Sequence, residues 1–246
     1  MSTVNIVHKK TEESSWFDLR KRIREEGSNK VFNIGDVVEF KLKNDKTITM
    51  EVAELNVYGE NTVVFVSQDC VLNDIAMNWE NEYGCKGAWA NCKMQRYLNN
   101  SFLNLLPQDL VDIIIPRKIK QSVFVQEYDY TYDKEMRPQW FISKEEKEVF
   151  ESDNLLWIPS VTELFGSFAL EKDIDMDDVH FSLFKDDKSR VKFFDDETVH
   201  YPTRTPYSKE LDFCRSSIYY VGIDGELTTF QYADVRTTIV IGFIIG

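Results

Sequence analysis

Alternating aspartates mark the most acidic part of the chain, which opens with the run Asp173-x-Asp175-x-Asp177. Carboxylates at alternate positions can point at one ion, and helix–loop–helix calcium loops begin in this way. Such a loop also needs glycine at its sixth position and glutamate at its twelfth, where this chain has Asp178 and Phe184. The match therefore fails, and we predict that this part of the chain is a solvated acidic loop.

The cysteines and histidines are the next candidates for chemistry, as metal ligands or as a nucleophile with its base. The cysteines are Cys70, Cys85, Cys92 and Cys214, and the histidines are His8, His180 and His200. A structural zinc site needs these residue types in close clusters, and a serine or cysteine nucleophile needs a histidine beside it. The chain has neither a Cys-x-x-Cys pair nor a Gly-x-Ser-x-Gly motif. We therefore predict buried free thiols, surface histidines and no metal site.

Motifs for bound cofactors and for acid–base catalysis are also missing. Neither Gly-x-Gly-x-x-Gly nor the P-loop pattern, both of which cradle phosphates, occurs in the chain. A pair of carboxylic acids can carry out general acid–base catalysis, but nothing isolates two of them among 42 acidic residues. The sequence therefore predicts a protein without a cofactor and without a catalytic centre.

Charge and composition narrow the classes of partner. The chain has 246 residues, of which 43% are hydrophobic and 13% aromatic, enough for a sizeable core. Its 42 acidic residues exceed its 29 basic ones, which gives a net charge of −13. Nucleic acids and anionic membranes attract basic surfaces, so we predict neither as a partner. The most apolar run, residues 238–245, is shorter than the ~20 residues that a membrane-spanning helix needs.

The N-terminal quarter of the chain predicts a helix followed by a hairpin. Residues 1–14 are polar and predict a flexible N-terminus. Serine then precedes an amphipathic pattern that starts at Trp16 and stops at Gly27, as in a helix with a serine cap and a glycine stop. Apolar and polar residues alternate over 37–42 and 47–52 with a short polar turn between them, which predicts a β-hairpin.

Short helices and strands are predicted along the rest of the chain. Helical spacing runs from Trp89 to Asn104, and a further helical turn begins at Pro107. Ser160 and Glu163 have the spacing of a capping box, which marks the start of a helix. The other predicted elements are a short helix over 143–150 and strands over 62–66, 155–158, 218–221, 227–232 and 238–245. Residues 123–132 alternate weakly, which predicts either a strand or an aromatic-rich loop.

An ordered set of short motifs runs through these elements. They are Trp16, Gly35-Asp36 and Phe40; Gly87-Ala88-Trp89, Cys92 and Met94-Gln95-Arg96-Tyr97-Leu98-Asn99; Leu106-Pro107-Gln108-Asp109-Leu110 and Ile113; Leu155-Leu156-Trp157-Ile158-Pro159-Ser160 and Glu163-Leu164-Phe165-Gly166; Tyr201, Arg204-Thr205-Pro206, Val221, Gly225 and Gly242-Phe243-Ile244-Ile245. In order and spacing, over roughly residues 15–246, the set resembles an uncharacterised domain family of gut bacteria and their phages.

Three positions depart from the pattern of that family. Cys92 stands where the family has serine, Gln95 stands where it has arginine, and Pro202-Thr203 replaces a tryptophan–leucine pair. If the polar groups at these positions form a buried network in the family, this chain has altered it.

The resemblance implies a C-type-lectin-like C-terminal part, in which short helices flank a twisted antiparallel sheet and irregular loops carry the function. We therefore predict an α+β fold of twisted antiparallel sheets with a few short flanking helices. The predicted divisions are a flexible N-terminus over 1–14, a helix and hairpin over 15–68, and a lectin-like core over 69–246, all in one compact unit. Fold alone does not determine function.

The first functional hypothesis is a non-catalytic binding or structural module, on a phage particle or in a bacterial interaction system. Aromatic side chains suit sugars and protein anchors alike, so a protein or a carbohydrate is the predicted ligand. The loop region 167–215 is the predicted exposed surface, with Tyr201, Arg204 and Tyr207 as candidate ligand contacts. Residues 1–10 lack the apolar segment of a secretory signal, which favours a cytoplasmic or virion-associated location.

The alternative hypothesis is a metal- or thiol-dependent enzyme related to the formylglycine-generating group, which shares the lectin-like fold. Cys85 and Cys92 would be its reactive pair. Seven residues apart on a helix, they would share one face but would lie too far apart for a disulfide bridge. This hypothesis predicts bound copper, zinc or calcium and an activity that depends on Cys92.

Overall fold

A computed structural model describes residues 2–6, 13–77, 88–166, 174–207 and 217–246. Its strands are β1 (Val4–Ile6), β2 (Glu13–Ser14), β3 (Val37–Lys41), β4 (Thr47–Leu55), β5 (Val63–Ser67), β6 (Leu72–Ile75), β7 (Arg117–Tyr132), β8 (Pro138–Asn154), β9 (Asp175–Met176), β10 (Lys192–Phe194), β11 (Glu197–Val199), β12 (Tyr201–Pro206), β13 (Ser217–Val221), β14 (Leu227–Tyr232), β15 (Thr237–Ile239) and β16 (Gly242–Ile245). Its helices are α1 (Trp16–Glu26), α2 (Ser28–Val31), α3 (Ala88–Asn91), α4 (Lys93–Tyr97), α5 (Gln108–Val111), α6 (Val161–Phe165) and α7 (Asp187–Arg190). The predicted α+β class, with antiparallel sheets and short helices, is confirmed.

Helix α1 forms as its sequence predicts. The Oγ of Ser15 accepts a hydrogen bond from the N–H of Asp18 at 3.1 Å, and the carboxylate of Asp18 accepts one from the N–H of Ser15. This reciprocal pair satisfies two N–H groups that a helix start leaves open. Gly27 ends the helix with φ of 93°, a conformation that favours glycine. The apolar face of α1 packs inward through Trp16, Leu19 and Ile23.

A six-stranded sheet in the order β16-β5-β4-β3-β1-β2 forms the main frame. The predicted hairpin of β3 and β4 is present, with Val38 opposite Met50. Strand β1 is unexpected, because the polar composition of residues 1–14 predicts flexibility. Instead, Val4 and Ile6 are buried and pair with β3, since their side chains alternate onto the core face of the sheet. Strand β16 pairs with β5 and so connects distant parts of the chain.

The core of this sheet is aromatic. The indole ring of Trp16 meets the rings of Phe40, Phe65 and Phe243 edge-on, at centroid distances of 5.4, 6.3 and 6.1 Å. Such edge-to-face pairs add to the hydrophobic stabilisation of buried rings. Trp157 makes an isolated bridge to Gly242, so the predicted strand over 155–158 is reduced to one pair.

The predicted helix over Trp89–Asn104 is broken into short pieces. Helix α3 ends at Asn91, Cys92 has an extended backbone, and α4 starts at Lys93. A π-helical turn over Leu98–Phe102 and a 3-10 turn over Leu103–Leu105 follow. The apolar spacing is kept through the break, and Trp89, Met94, Leu98 and Phe102 all face the core.

A long hairpin formed by β7 and β8 replaces the helix predicted over 143–150. The segment belongs to β8, which pairs with β7 from Arg117 opposite Asn154 to Tyr132 opposite Pro138, with one shift of register at Ser143. In the described part of the chain, strand β9 pairs with Lys120 and Gln121 of β7, and the N–H of Ser122 donates to the carbonyl of Ile174. We call residues 124–147, which lie beyond this described pairing, the outer hairpin.

The acidic stretch is only partly the solvated loop that its composition predicts. Asp173 lies outside the described residues, while Asp177 and Asp186 are exposed. Asp175 and the side chain of Asp178 are buried, so the prediction is wrong for these two residues. None of the described helices has the length and apolar character needed to cross a membrane.

Candidate functional site

Four buried charged side chains meet where separate elements converge. They are Arg117 at the start of β7, Glu163 in α6, Asp178 after β9 and Arg204 in β12, and we call them the charge cluster. With both carboxylates ionised, the charges of the cluster sum to zero. Buried charges need partners and hydrogen bonds to offset their desolvation. Each charge of the cluster has an oppositely charged partner, but the Nε atoms of Arg117 and Arg204 are buried without a hydrogen-bond acceptor among the described residues.

Glu163 is the centre of the charge cluster. Its two carboxylate oxygens accept hydrogen bonds from Arg204 at 2.7 and 3.0 Å, a bidentate pair. The same carboxylate forms an ion pair with Arg117, and it accepts hydrogen bonds from the hydroxyl of Tyr58 at 3.2 Å and the N–H of Ser160 at 2.8 Å. Because Ser160 caps α6 in return, the predicted capping box is confirmed and also positions the buried acid.

The two arginines differ in their surroundings. The guanidinium of Arg117 contacts two aromatic rings, with its carbon 4.2 Å from the ring centre of Tyr58 and 4.9 Å from that of Trp157. It also donates to Asp178 at 2.6 Å. Arg204 donates to Asp178 as well, and to the carbonyl of Ile158 at 2.7 Å. Cation–π contact and bidentate pairing are both properties of arginine, so lysine is a poor substitute at these positions.

Ionisation of Glu163 is favoured by the two arginines. Burial raises the pKa of its carboxyl, but the positive charges of Arg117 and Arg204 outweigh this effect and lower the pKa to about 2. Glu163 is therefore a fixed negative charge at neutral pH. It has no exposed surface from which to exchange a proton with a substrate.

Asp175 extends the cluster on one side. Its carboxyl forms hydrogen bonds with the hydroxyl of Thr205 and the amide of Gln121, the latter at 2.6 Å. Burial raises its pKa, the negative charge of Asp178 raises it further, and the net value is about 7. Asp175 therefore gains or loses a proton near neutral pH, unlike an ordinary aspartate.

A second group of hydrogen bonds ties the broken helix to the hairpin. The indole N–H of Trp89 and the amide of Gln95 both donate to the side-chain oxygen of Asn154, at 2.9 and 3.1 Å. The side chain of Asn99 accepts from the N–H groups of Leu155 and Leu156 at 2.8 and 3.1 Å. Three of the motif residues, Trp89, Gln95 and Asn99, therefore make buried or partly buried polar contacts.

Cys92 serves as the cap of α4. Its sulfur accepts a hydrogen bond from the N–H of Gln95 at 3.3 Å, which is the part that a serine hydroxyl plays at a helix start. Burial raises the pKa of this thiol to about 12. Cys92 is thus a neutral structural thiol at physiological pH, and a buried neutral thiol is a weak nucleophile. Cys70 is also buried and free, and Cys85 and Cys214 lie outside the described residues.

The structure separates the three predicted ligand contacts. Tyr201 is fully buried and donates its hydroxyl to the carbonyl of Arg190 at 2.8 Å. Arg204 is buried in the charge cluster, so neither side chain forms part of the exposed surface on which we predicted them. Tyr207 is half-buried and packs edge-on against the ring of Tyr219 at 5.1 Å. Much of the predicted loop surface, residues 167–173 and 208–216, lies outside the described residues.

Half of the charge cluster has no local signal in the sequence. Glu163 is marked by its capping box and Arg204 by its motif. Arg117 and Asp178, like the neighbouring Gln121, stand among ordinary polar residues, and only the packing of distant strands brings them together. Among the described residues, no three histidine, cysteine, aspartate or glutamate side chains are placed to hold a metal ion.

A narrow cleft borders Arg204. Met77, Trp89, Cys92, Pro206 and Ile218 are among its mainly apolar walls, and it encloses about 250 Å³, part of which is open to solvent. Pockets for small organic ligands begin at about 300 Å³. The cleft therefore has room for little more than one side chain or a few waters.

The outer hairpin, unlike the cleft beside Arg204, carries exposed apolar side chains. Tyr130 is 49% exposed, Tyr132 54% and Met136, in the turn between the strands, 74%. The rings of Tyr130 and Tyr132 meet edge-on at 5.6 Å, which places them on one face of the ribbon. Phe141 on the other strand is also about half exposed, but it is opposite Asp129 and therefore lies on the other face of the ribbon. Exposed aromatic rings that contact each other, as those of Tyr130 and Tyr132 do, form a candidate interaction surface.

Comparison with known proteins gives one match. The model of a protein family described as "Domain of unknown function (DUF6273)" matches residues 61–242. No curated protein and no solved structure matches the chain.

Proposed function

The chain belongs to the family described as "Domain of unknown function (DUF6273)", and on that premise we propose that it is a non-catalytic binding module whose contact surface is the outer hairpin. The observation that carries the proposal is the projection of exposed aromatic residues on a two-stranded ribbon. An isolated two-stranded ribbon is only marginally stable in water. A partner that covers Tyr130 and Tyr132 would stabilise it.

The absence of catalysis is part of the proposal and is supported by the charge cluster. Its acids and arginines are buried and paired with one another, so they are not available to a substrate. The alternative enzyme would need Cys92 as a thiolate. Burial and the capping bond of its sulfur both oppose that role.

The proposed ligand is a protein. Carbohydrate and small-molecule sites are usually concave, whereas the outer hairpin is a ribbon of two paired strands that carries exposed aromatic side chains. We also propose a lectin-like core over 69–246 and a setting on a phage or bacterial surface, both of which rest on the motif resemblance alone. The acidic charge of −13 supports the exclusion of nucleic acid from the proposed partners.

Site-specific photocrosslinking tests the proposed surface. A photoreactive p-benzoylphenylalanine at position 132 in the source cells is expected to trap a discrete protein partner. The matched control carries the same group at Ile223, which is 49% exposed in the turn after β13. A Tyr130→Ser/Tyr132→Ser double variant should fold normally and lose the partner. Equal crosslinking from both positions would contradict the proposal, and glycan-array binding that depends on the two tyrosines would identify a carbohydrate ligand instead.

A further inference from the structure

The side chains of Gln121, Asp175 and Thr205 form a buried chain of hydrogen bonds beside the charge cluster. The carboxamide nitrogen of Gln121 donates to Oδ1 of Asp175 at 2.6 Å, and the hydroxyl of Thr205 donates to Oδ2 of the same carboxyl group. The three side chains come from β7, β9 and β12, and none of the residues is more than 4% exposed. An alcohol, a carboxyl group and a carboxamide are therefore held together away from solvent.

The orientation of the Thr205 hydroxyl is set by a second hydrogen bond. Its oxygen accepts from the N–H of Val161 at 2.8 Å, so its own proton is directed to Asp175. An alcohol bonded in this way can become a nucleophile, because the carboxylate removes the proton as the oxygen attacks. Thr205 and Asp175 thus have the arrangement of a nucleophile and its base.

The carboxamide of Gln121 has the arrangement of the matching electrophile. Its oxygen accepts a hydrogen bond from the N–H of Trp89 at 2.8 Å, which would stabilise negative charge on this oxygen during attack at the adjacent carbon. Its nitrogen donates at 3.0 Å to the carbonyl of Arg204, the residue before Thr205, so the carboxamide lies alongside the backbone that carries the hydroxyl. The same nitrogen is bonded to Asp175, which can return a proton to it.

We propose that Thr205 and Gln121 form an intramolecular ester bond that joins β12 to β7, with Asp175 as the catalytic base and acid. The Oγ1–H bond of Thr205 breaks, and its proton passes to Asp175. Oγ1 bonds to the side-chain carbonyl carbon of Gln121, the bond from that carbon to Nε2 breaks, and Asp175 gives the proton to Nε2. One ammonia molecule leaves and Asp175 returns to its starting state, so the reaction needs no oxidant and no co-reactant.

The surroundings of the three side chains favour this reaction. Burial and the negative charge of Asp178 raise the pKa of Asp175 to about 7, which suits a group that accepts and returns a proton near neutral pH. Trp89 and Arg204 also line the narrow cleft, which is partly open to solvent and gives ammonia a way out. The reaction takes place once, within the chain itself, so it is independent of the proposed contact surface and needs no exposed site for a substrate.

Intact-mass spectrometry of the purified full chain tests the proposal. After incubation of the folded protein at pH 7, its mass is expected to be lower than that of the sequence by one ammonia molecule. Proteolysis and tandem mass spectrometry should then identify a branched peptide that contains residues 121 and 205. A folded protein with the full mass of its sequence, or a loss of ammonia located elsewhere in the chain, would overturn the inference.

Variants separate the ester from other losses of ammonia. Thr205→Val removes the nucleophile and should keep the full mass of its sequence, whereas Thr205→Ser retains a hydroxyl and should still form the branched peptide. Thr62→Val is the matched control, because Thr62 is also buried but its hydroxyl donates to the carbonyl of Gly59. It should react like the wild type. Circular dichroism checks that each variant is folded, and a folded Thr205→Val protein that loses ammonia as the wild type does would contradict the proposal.

Discussion

At the residue scale, the buried acids of the charge cluster have different roles. Glu163 is held ionised by two guanidiniums, and Asp175 titrates near neutral pH. Removing one member of a buried ion pair leaves its partners as uncompensated charges, which is more destabilising than the loss of an exposed pair. These residues should therefore affect stability strongly and ligand binding little.

Glu163→Gln should lower the free energy of unfolding by about 3–5 kcal/mol, because Arg117 and Arg204 then lose the negative charge that both contact. Urea denaturation measures the change. Asp187→Asn is the control: Asp187 pairs with Arg190 but its side chain is 55% exposed, so the loss should be under about 1 kcal/mol. Similar urea midpoints for the two variants would contradict a structural role for the charge cluster.

Asp175 should give stability an unusual dependence on pH. An unfolded aspartate has a pKa of about 3.9, while burial raises that of folded Asp175 to about 7. The folded state therefore binds more protons between these values, so the contribution of Asp175 to stability is full below about pH 4 and is lost as pH rises to about 7. Asp175→Asn, which keeps the shape and the hydrogen bonds of the protonated acid, should remove this decline.

Urea unfolding of the wild type and Asp175→Asn between pH 4 and pH 8 measures the difference. The free energy of unfolding of the variant should increase relative to that of the wild type as the pH rises. Glu163 contributes to stability over a different pH range, because its pKa in the folded state is lowered to about 2. Its contribution to the free energy of unfolding is fully present above about pH 4.3 and is lost as the pH falls. Parallel curves for the two proteins would show that Asp175 is ionised throughout.

At the scale of elements, local signals and long-range pairing differ in what they reveal. The capping and terminating residues predict α1 and α6 correctly, because Ser15, Gly27 and Ser160 act through hydrogen bonds and backbone angles within a few residues. The sequence predicts a helix over 143–150, but this segment is part of a strand. Its pairing with β7, a distant part of the chain, outweighs the local preference.

The same distinction explains the candidate site. Burial of Arg204 and Tyr201 could not be read from their polar motif, because their partners lie in α6, α7 and the segment after β9. The sequence predicts a strand or an aromatic-rich loop over 123–132, but it does not predict that Tyr130 and Tyr132 are exposed. Their exposure depends on which distant segments pack beside the hairpin, and no local pattern predicts that.

The cap at the start of α4 gives a prediction for a single element. Cys92→Ser should leave stability within about 1 kcal/mol of the wild type, because the hydroxyl can accept the same bond from Gln95. Cys92→Ala should cost about 1 kcal/mol or more, since it loses both the acceptor and buried volume. Thermal unfolding compares the two. A serine variant as unstable as the alanine variant would show that sulfur packing is the main contribution.

Hydrogen exchange should divide the long hairpin into two parts. Amides at 118–123, next to β9 and the core, are expected to exchange slowly. Amides at 128–138, where the ribbon has no third strand among the described residues, should exchange much faster in the free protein. Exchange followed by mass spectrometry of peptides measures both. Equal protection that does not depend on protein concentration would mean that the chain itself covers the outer hairpin.

At the scale of the whole molecule, the family match and the fold have different boundaries. The match covers residues 61–242, but β5 within it pairs with β4 on one side and β16 on the other. A fragment limited to 61–242 would leave both edges of a fully buried strand uncovered. We therefore expect the fragment to lack a cooperative transition in urea, unlike the full chain. A shared urea midpoint would contradict this.

The place of β16 in the sheet also has a consequence for synthesis. Strand β5 leaves the ribosome well before β16, because more than 170 residues separate Ser67 from Gly242. At roughly 20 residues per second or slower, translation leaves this apolar edge open for about ten seconds or more. During that interval the nascent chain must be shielded from its neighbours, so the yield of soluble protein should depend on chaperones that hold unfinished chains.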